Sequence, residues 1–243
     1  MDHQQQNQER FNLRTIFQSI LDNFNVNKGF IKTYRLLTTQ PGQSIRNFLL
    51  GDRNLLTKPF QLLVVSTAIV AFFTIKLLPS DEFVRGFEEG YNQTAHELPL
   101  SMEEKEKNQE KIKELNAKIS DMLNRYFNLL ILLSIPFLSL ATYWFFKKCG
   151  YNYAEHIVFN SYILSYQNLI YLLLMPLTFG ISIHFNWLYF LIAYGYFFYV
   201  CIRFFELKFW LATGRAFLSL LVGTFMYVLA FSVVVSLLLS FMV

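Results

Sequence analysis

Residues 28–60 read KGFIKTYRLLTTQPGQSIRNFLLGDRNLLTKPF. This stretch decides the fold because it joins a basic, aromatic-studded segment directly to the first long apolar run, and such runs dominate the chain from there to Val243. Hydrophobic residues make up 54% and aromatics 18% of 243 residues, against 16% charged. That balance is too apolar for an ordinary soluble domain. The reading is an all-α, polytopic membrane helix bundle of about five transmembrane helices, with cytoplasmic N-terminal amphipathic helices and an extracytoplasmic helical hairpin. Cys149 and Cys201 lie at or inside apolar runs with no Cys-x-x-Cys or Cys/His spacing, so neither a disulfide framework nor a zinc site is expected. No nucleotide loop or nucleophile–base set stands out. No cofactor, no metal, no nucleic-acid partner and no enzymatic activity are therefore expected.

Upstream of the quoted stretch, Met1–Glu9 is Gln-rich and lacks the pattern of a cleaved signal peptide, so the N-terminus is expected to be retained. Leu13, Ile16, Phe17, Ile20, Leu21 and Phe24 repeat at helical spacing and predict a short amphipathic helix over Phe11–Phe24. Gly29 is expected to interrupt before a second piece, Phe30–Thr39. Pro41-Gly42 then forces a turn into a third piece, Ser44–Leu50, closed by Gly51 as its C′ residue. Pro59 opens the next helix, where its missing N–H costs nothing. Lys28, Lys32, Arg35, Arg46, Arg53 and Lys58 punctuate this region. They suit contact with anionic lipid headgroups at about 1 kcal/mol per residue; a purely topogenic role accounts for them equally well.

Downstream, five apolar runs suffice to cross about 30 Å of hydrocarbon: near Pro59–Leu78, Phe127–Phe146, Ile157–Leu177, Trp187–Leu207 and Ala216–Val243. The chain divides accordingly into a cytoplasmic basic segment (1–58), a first span (59–78), an extracytoplasmic helical loop (79–126) and a four-helix region (127–243). The third and fourth runs are joined by Thr178–Asn186 and form an antiparallel hairpin. Lys147 and Lys148, Lys208 and Arg215 share a side with the basic N-terminal segment, whereas residues 80–126 hold eleven acidic and seven basic residues. The positive-inside rule then puts the N-terminus in the cytoplasm and the C-terminus outside.

Within the long loop, Ser101 and Glu104 form a capping box. Ile112, Leu115, Ile119, Met122 and Tyr126 follow as a heptad seam leading into the second span. Phe83, Phe87 and Tyr91 supply the opposing helix of an intramolecular hairpin; a protein partner or self-association through the seam is the alternative. Asn92-Gln93-Thr94 is a glycosylation sequon by pattern only. On the third span Tyr153, His156, Asn160, Gln167 and Tyr171 share a helix face, with Glu155 beside His156. On the fourth, Tyr196, Tyr199, Arg203 and Glu206 make a similar stripe. Polar side chains at that depth face the bundle interior. They line a path or pocket, or they hydrogen-bond one helix to the next at about 0.6 kcal/mol per contact.

The run Gly29-Phe30-Ile31-Lys32-Thr33, Gln40-Pro41-Gly42, Ile45-Arg46, Phe48, Gly51-Asp52-Arg53 and Lys58-Pro59-Phe60, with Glu155-His156-Ile157-Val158-Phe159 later, resembles the bacterial membrane family of domain of unknown function 3667. The resemblance extends from about Phe24 to the end. It implies a multi-span inner-membrane protein and no particular activity. The Cys-x-x-Cys element that often precedes the signature in that family has no counterpart in this chain, and Tyr162 stands where the resemblance would put a second histidine. Two functions follow as expectations: a scaffold or accessory subunit of a membrane complex, or a small-molecule or lipid transporter using the polar face of the third and fourth spans.

Overall fold

The computed structural model describes residues 26–77, 102–180 and 185–241. Seven α-helices run through them: α1 (Val26–Thr39), α2 (Pro41–Leu49), α3 (Pro59–Leu77), α4 (Met102–Phe146), α5 (Tyr153–Gly180), α6 (Phe185–Phe205) and α7 (Phe209–Phe241), with a 3₁₀ turn at Lys147–Cys149. Among the described residues, four stretches are long and apolar enough to cross a membrane: Asn128–Cys149, Tyr153–Leu177, Trp187–Phe205 and Phe209–Val234. The protein is a helical membrane bundle. The apolar part of α3, Pro59–Thr74, is shorter than the other four. The expected amphipathic helix over Phe11–Phe24, the hairpin residues Phe83, Phe87 and Tyr91, and the sequon at Asn92 lie outside the described residues. So do the side chains of Lys28, Ile112, Leu115, Ile119 and Met122.

Helices α5 and α6 form the expected antiparallel hairpin, with Phe159 against Phe204, Tyr166 stacked on Tyr196 and Tyr171 against Tyr189. Helix α3 lies parallel to α5: the Tyr162 hydroxyl donates to the Thr57 carbonyl, and further along Asn168 Nδ2 donates to Ser66 and Thr67. Helix α7 runs antiparallel to α4. Gly223 packs on Leu138 and Ala141, and Tyr227 donates to the Leu130 carbonyl. A Cβ at Gly223 would come within 3.0 Å of Leu138, so the absence of a side chain there permits the close approach of α7 to α4.

The basic connections meet at one end of the bundle. Phe146 stacks on Phe205 at 4.0 Å and Tyr151 lies tilted against Phe204 at 4.6 Å, which brings the α4–α5 and α6–α7 links together. Arg215, expected in the latter link, lies instead inside α7. The reason is local: Glu206 adopts a positive φ of 52°, which ends α6 sharply and lets α7 begin at Phe209. The second and last spans also extend beyond their apolar runs. Helix α4 continues without a break from Met102, and α7 is a single unbroken helix.

The N-terminal signature does not float on this bundle; it is built into it. Leu37, Ile45 and Phe48 are buried in one core with Phe159, Tyr162, Val200 and Phe204. Gly29 does not interrupt α1, because the Thr33 hydroxyl bonds back to the Gly29 carbonyl and to Thr57, tying the helix to the strap before α3. Pro41 occupies the first turn of α2, where no N–H is needed. Gly42 then lies flat on the end of α6, and a Cβ there would sit 2.4 Å from the Arg203 carbonyl carbon. No side chain fits without parting the two helices. Gly42→Ala is therefore expected to lower stability by about 1–3 kcal/mol, read as a depressed unfolding midpoint in detergent. Gly214→Ala, whose Cβ would meet open space within α7, should leave the midpoint unchanged or raise it.

Candidate functional site

The last turn of any helix leaves carbonyl groups without partners, and within or beside a bilayer water does not readily serve them. Arg46 serves those of α6. Its Nη1 donates to the carbonyls of Arg203 and, at 3.0 Å, Phe204, while its Nη2 meets Glu206 Oε1 at 2.7 Å. Gly42 and Arg46 are four apart on α2, so one helical face presents first a flat contact and then a guanidinium to the same helix end. Burial pushes the Tyr151 hydroxyl above its ordinary range, with the nearby Arg46 charge partly opposing the shift.

Between the α1–α2 junction and the last turn of α6 lies an open cleft of ≈ 590 Å³. Gln40, Gln43 and Arg46 form one wall; Tyr199, Arg203 and Glu206 form the other. The Arg203 guanidinium sits 5.6 Å over the Tyr199 ring. Arg46 is held inward, whereas Lys32, Arg35, Arg53 and Lys58 are exposed, and Arg53 lies 5.3 Å over the Phe48 ring.

The polar stripe of α5 divides into three local arrangements. At the N-terminus, the Asn152 amide donates to Glu155 Oε2 at 2.7 Å and the Glu155 amide donates to Asn152 Oδ1 at 3.0 Å, a reciprocal helix cap. Glu155 thus starts a helix, and Tyr153 beside it donates to the Pro136 carbonyl. One turn deeper, His156 Nδ1 pairs with Thr142 Oγ1 at 3.1 Å, and Asn160 Nδ2 donates to Thr142, Ser139 and the His156 carbonyl. Tyr143, Phe159 and Phe205 surround the imidazole, and among the described residues its Nε2 has no hydrogen-bond partner. Further along, Gln167 donates to the Ala193 carbonyl of α6, and Tyr196 donates to the Leu37 carbonyl of α1. Asn160 and Gln167 border a small cavity of ≈ 150 Å³ that is otherwise lined largely by apolar and aromatic side chains.

Tyr199, Arg203 and Glu206 therefore belong to the cleft; Tyr153, His156, Asn160, Gln167 and Tyr196 bond to neighbouring helices, Glu155 caps its own helix and Tyr171 packs on Tyr189. Gln43, Ser139 and Thr142 are not singled out by pattern, and Gln40 enters only as part of the Gln40-Pro41-Gly42 motif. Ser139 and Thr142 carry a weak signal, being two hydroxyls three apart in an apolar run; Gln43 carries none. Among the described residues, no three His, Cys, Asp or Glu side chains come together as a metal site.

Residues 27–71 match the family model described as protein of unknown function (DUF3667). The match takes in α1, α2 and most of α3, the helices carrying Gly42 and Arg46, and stops short of His156. No curated protein and no solved structure matches the chain.

Removing the guanidinium should test the helix-end role directly. Arg46→Gln is expected to cost about 1.5–3 kcal/mol, the scale of hydrogen bonds to a charged group. The Glu206 side chain is 70% exposed, so Glu206→Gln should cost far less. Unfolding midpoints in detergent compare the two, and equal losses would refute the capping role.

Proposed function

We propose that this chain is a scaffold or accessory subunit of a membrane complex, seated in a bacterial inner membrane with its N-terminus cytoplasmic and its C-terminus outside. The observation that carries this reading is the use of the transmembrane polar side chains. Asn160, Gln167, Tyr196 and His156 Nδ1 bond to neighbouring helices. Side chains committed in this way hold helices together and do not line a conduit. Two surfaces are offered to partners in this reading. Helix α4 is 45 residues long, about 68 Å at 1.5 Å per residue, more than twice the hydrocarbon thickness. It carries Ile112, Leu115, Ile119 and Met122 beyond the apolar stretch that starts at Asn128. Helix α7 buries only 11% of its apolar window inside the bundle.

Orientation rests on the gathering of Lys147, Lys148 and Lys208 at the end where α1 and α2 dock. Anionic headgroups at that end would meet the exposed Lys32, Arg35, Arg53 and Lys58.

A second reading, small-molecule or lipid transport, draws on the cavity beside Asn160 and Gln167. At ≈ 150 Å³ it is smaller than the ~300 Å³ at which ligand sites usually begin. Asn160→Leu and Gln167→Leu distinguish the readings. A scaffold loses about 0.6 kcal/mol per interhelical bond and keeps its partners; a transporter loses function while remaining folded.

Two further outcomes are expected. Native mass spectrometry after mild extraction from the source membrane should find a protein partner in fixed stoichiometry, and a bare, stable monomer would count decisively against the scaffold. A C-terminal alkaline phosphatase fusion should be active and a C-terminal green fluorescent protein fusion dark; the reverse pattern would invert the topology.

A further inference from the structure

We propose that the cleft between the α1–α2 junction and the end of α6 binds a phosphate-ester anion, with Arg203 holding the charge. The proposal goes beyond the scaffold reading and does not depend on a protein partner.

Charge distribution is the first support. Arg203 is exposed, and among the described residues no carboxylate pairs with it. The one carboxylate in the cleft wall, Glu206, is engaged at 2.7 Å by Arg46. Two guanidinium groups therefore face one carboxylate, and the surplus charge resides on Arg203. Its position 5.6 Å over the Tyr199 ring restrains the side chain. A guanidinium is a planar fork of N–H groups that matches a pair of phosphate oxygens, which a lysine ammonium does not.

Neutral donors complete the lining. Gln40 stands at the start of α2 without a side-chain bond to that helix, so its amide is free to turn into the cleft. Gln43 is exposed on the same wall. At ≈ 590 Å³ the cleft falls within the range of about 300–1,000 Å³ common to small-ligand sites. Gly42 holds its two walls at a set spacing, because its backbone lies directly on that of Arg203. The location is informative too. Arg203 lies in the last turn of the apolar stretch Trp187–Phe205, at the depth where a phosphate headgroup sits, and Ile202 and Leu207 add an apolar margin. The same chemistry would be offered by a soluble phosphate ester arriving from the aqueous side.

The test uses the full chain in detergent. Native mass spectrometry titrates it with phosphatidylglycerol and, separately, phosphatidylcholine; calorimetry titrates lipid-free protein with glycerol 3-phosphate. The wild type is expected to retain phosphatidylglycerol over phosphatidylcholine, and Arg203→Gln to weaken that retention about tenfold, as loss of a charge-assisted contact predicts. Lys147→Gln, on the same end but outside the cleft, should bind like the wild type. That pattern identifies a lipid headgroup. Binding of glycerol 3-phosphate that Arg203→Gln abolishes also supports the site and identifies a soluble ester. Unchanged binding in Arg203→Gln, an equal loss in Lys147→Gln, or no binding of either probe to the wild type overturns it. If Arg203→Gln fails to fold by its melting profile, Gln43→Leu takes its place, and undiminished affinity there overturns the proposal.

Discussion

A helix that ends at the edge of a bilayer leaves its last carbonyls in need of donors, and the packing of α1 and α2 onto the bundle turns on how that need is met at α6. Many helices stop with a glycine in the left-handed conformation and close their own ends. Here the left-handed residue is Glu206, and the donor comes from about 160 residues away in sequence through Arg46. The arrangement requires α2 to lie against α6 with almost no space between backbones, and Gly42 makes that possible. Two residues four apart thus tie the first part of the chain to the second-last helix.

The interior of the bundle follows similar logic. Apolar helices in lipid gain little from burying side chains against one another, because lipid is as apolar as leucine. Specific pairing therefore comes from polar groups and small residues. Thr142, Asn160 and Ser139 join α4 to α5; Asn168 with Ser66 and Thr67 joins α5 to α3; Gly223 seats α7 on α4. Aromatic stacking reinforces these contacts, with Phe146 on Phe205 where the connections converge and Tyr166 on Tyr196 within the α5–α6 hairpin.

Periodicity and composition were enough to recognise the helical membrane bundle and the α5–α6 hairpin, because apolar runs of span length have few other structural uses. The role of Pro59 as a helix opener and of Gly51 beyond the end of α2 also followed from backbone chemistry alone. Gly29 was misleading, since a glycine signals a break unless something else supports the helix, and the Thr33 hydroxyl that does so acts through a tertiary contact with Thr57. The stripe on α5 was visible as a face, but its partners were not. Whether Asn160 points at a solute or at Thr142 depends on the neighbouring helix, which helical spacing does not reveal. Arg46 carried the same ambiguity: a basic residue before a span reads as surface charge until its target carbonyls are in view.

Helix α4 passes from beyond the apolar layer to the basic end of the bundle as one continuous rod, with Pro136 inside it. A rod transmits torque. Any turning of its outer half by a bound protein or by a change in bilayer thickness must either rotate Ser139 and Thr142 against His156 and Asn160 or be absorbed where proline has removed a backbone hydrogen bond. Pro136 lies one turn from Ser139, so the one position of this stretch that lacks a backbone N–H adjoins the buried polar contact between α4 and α5.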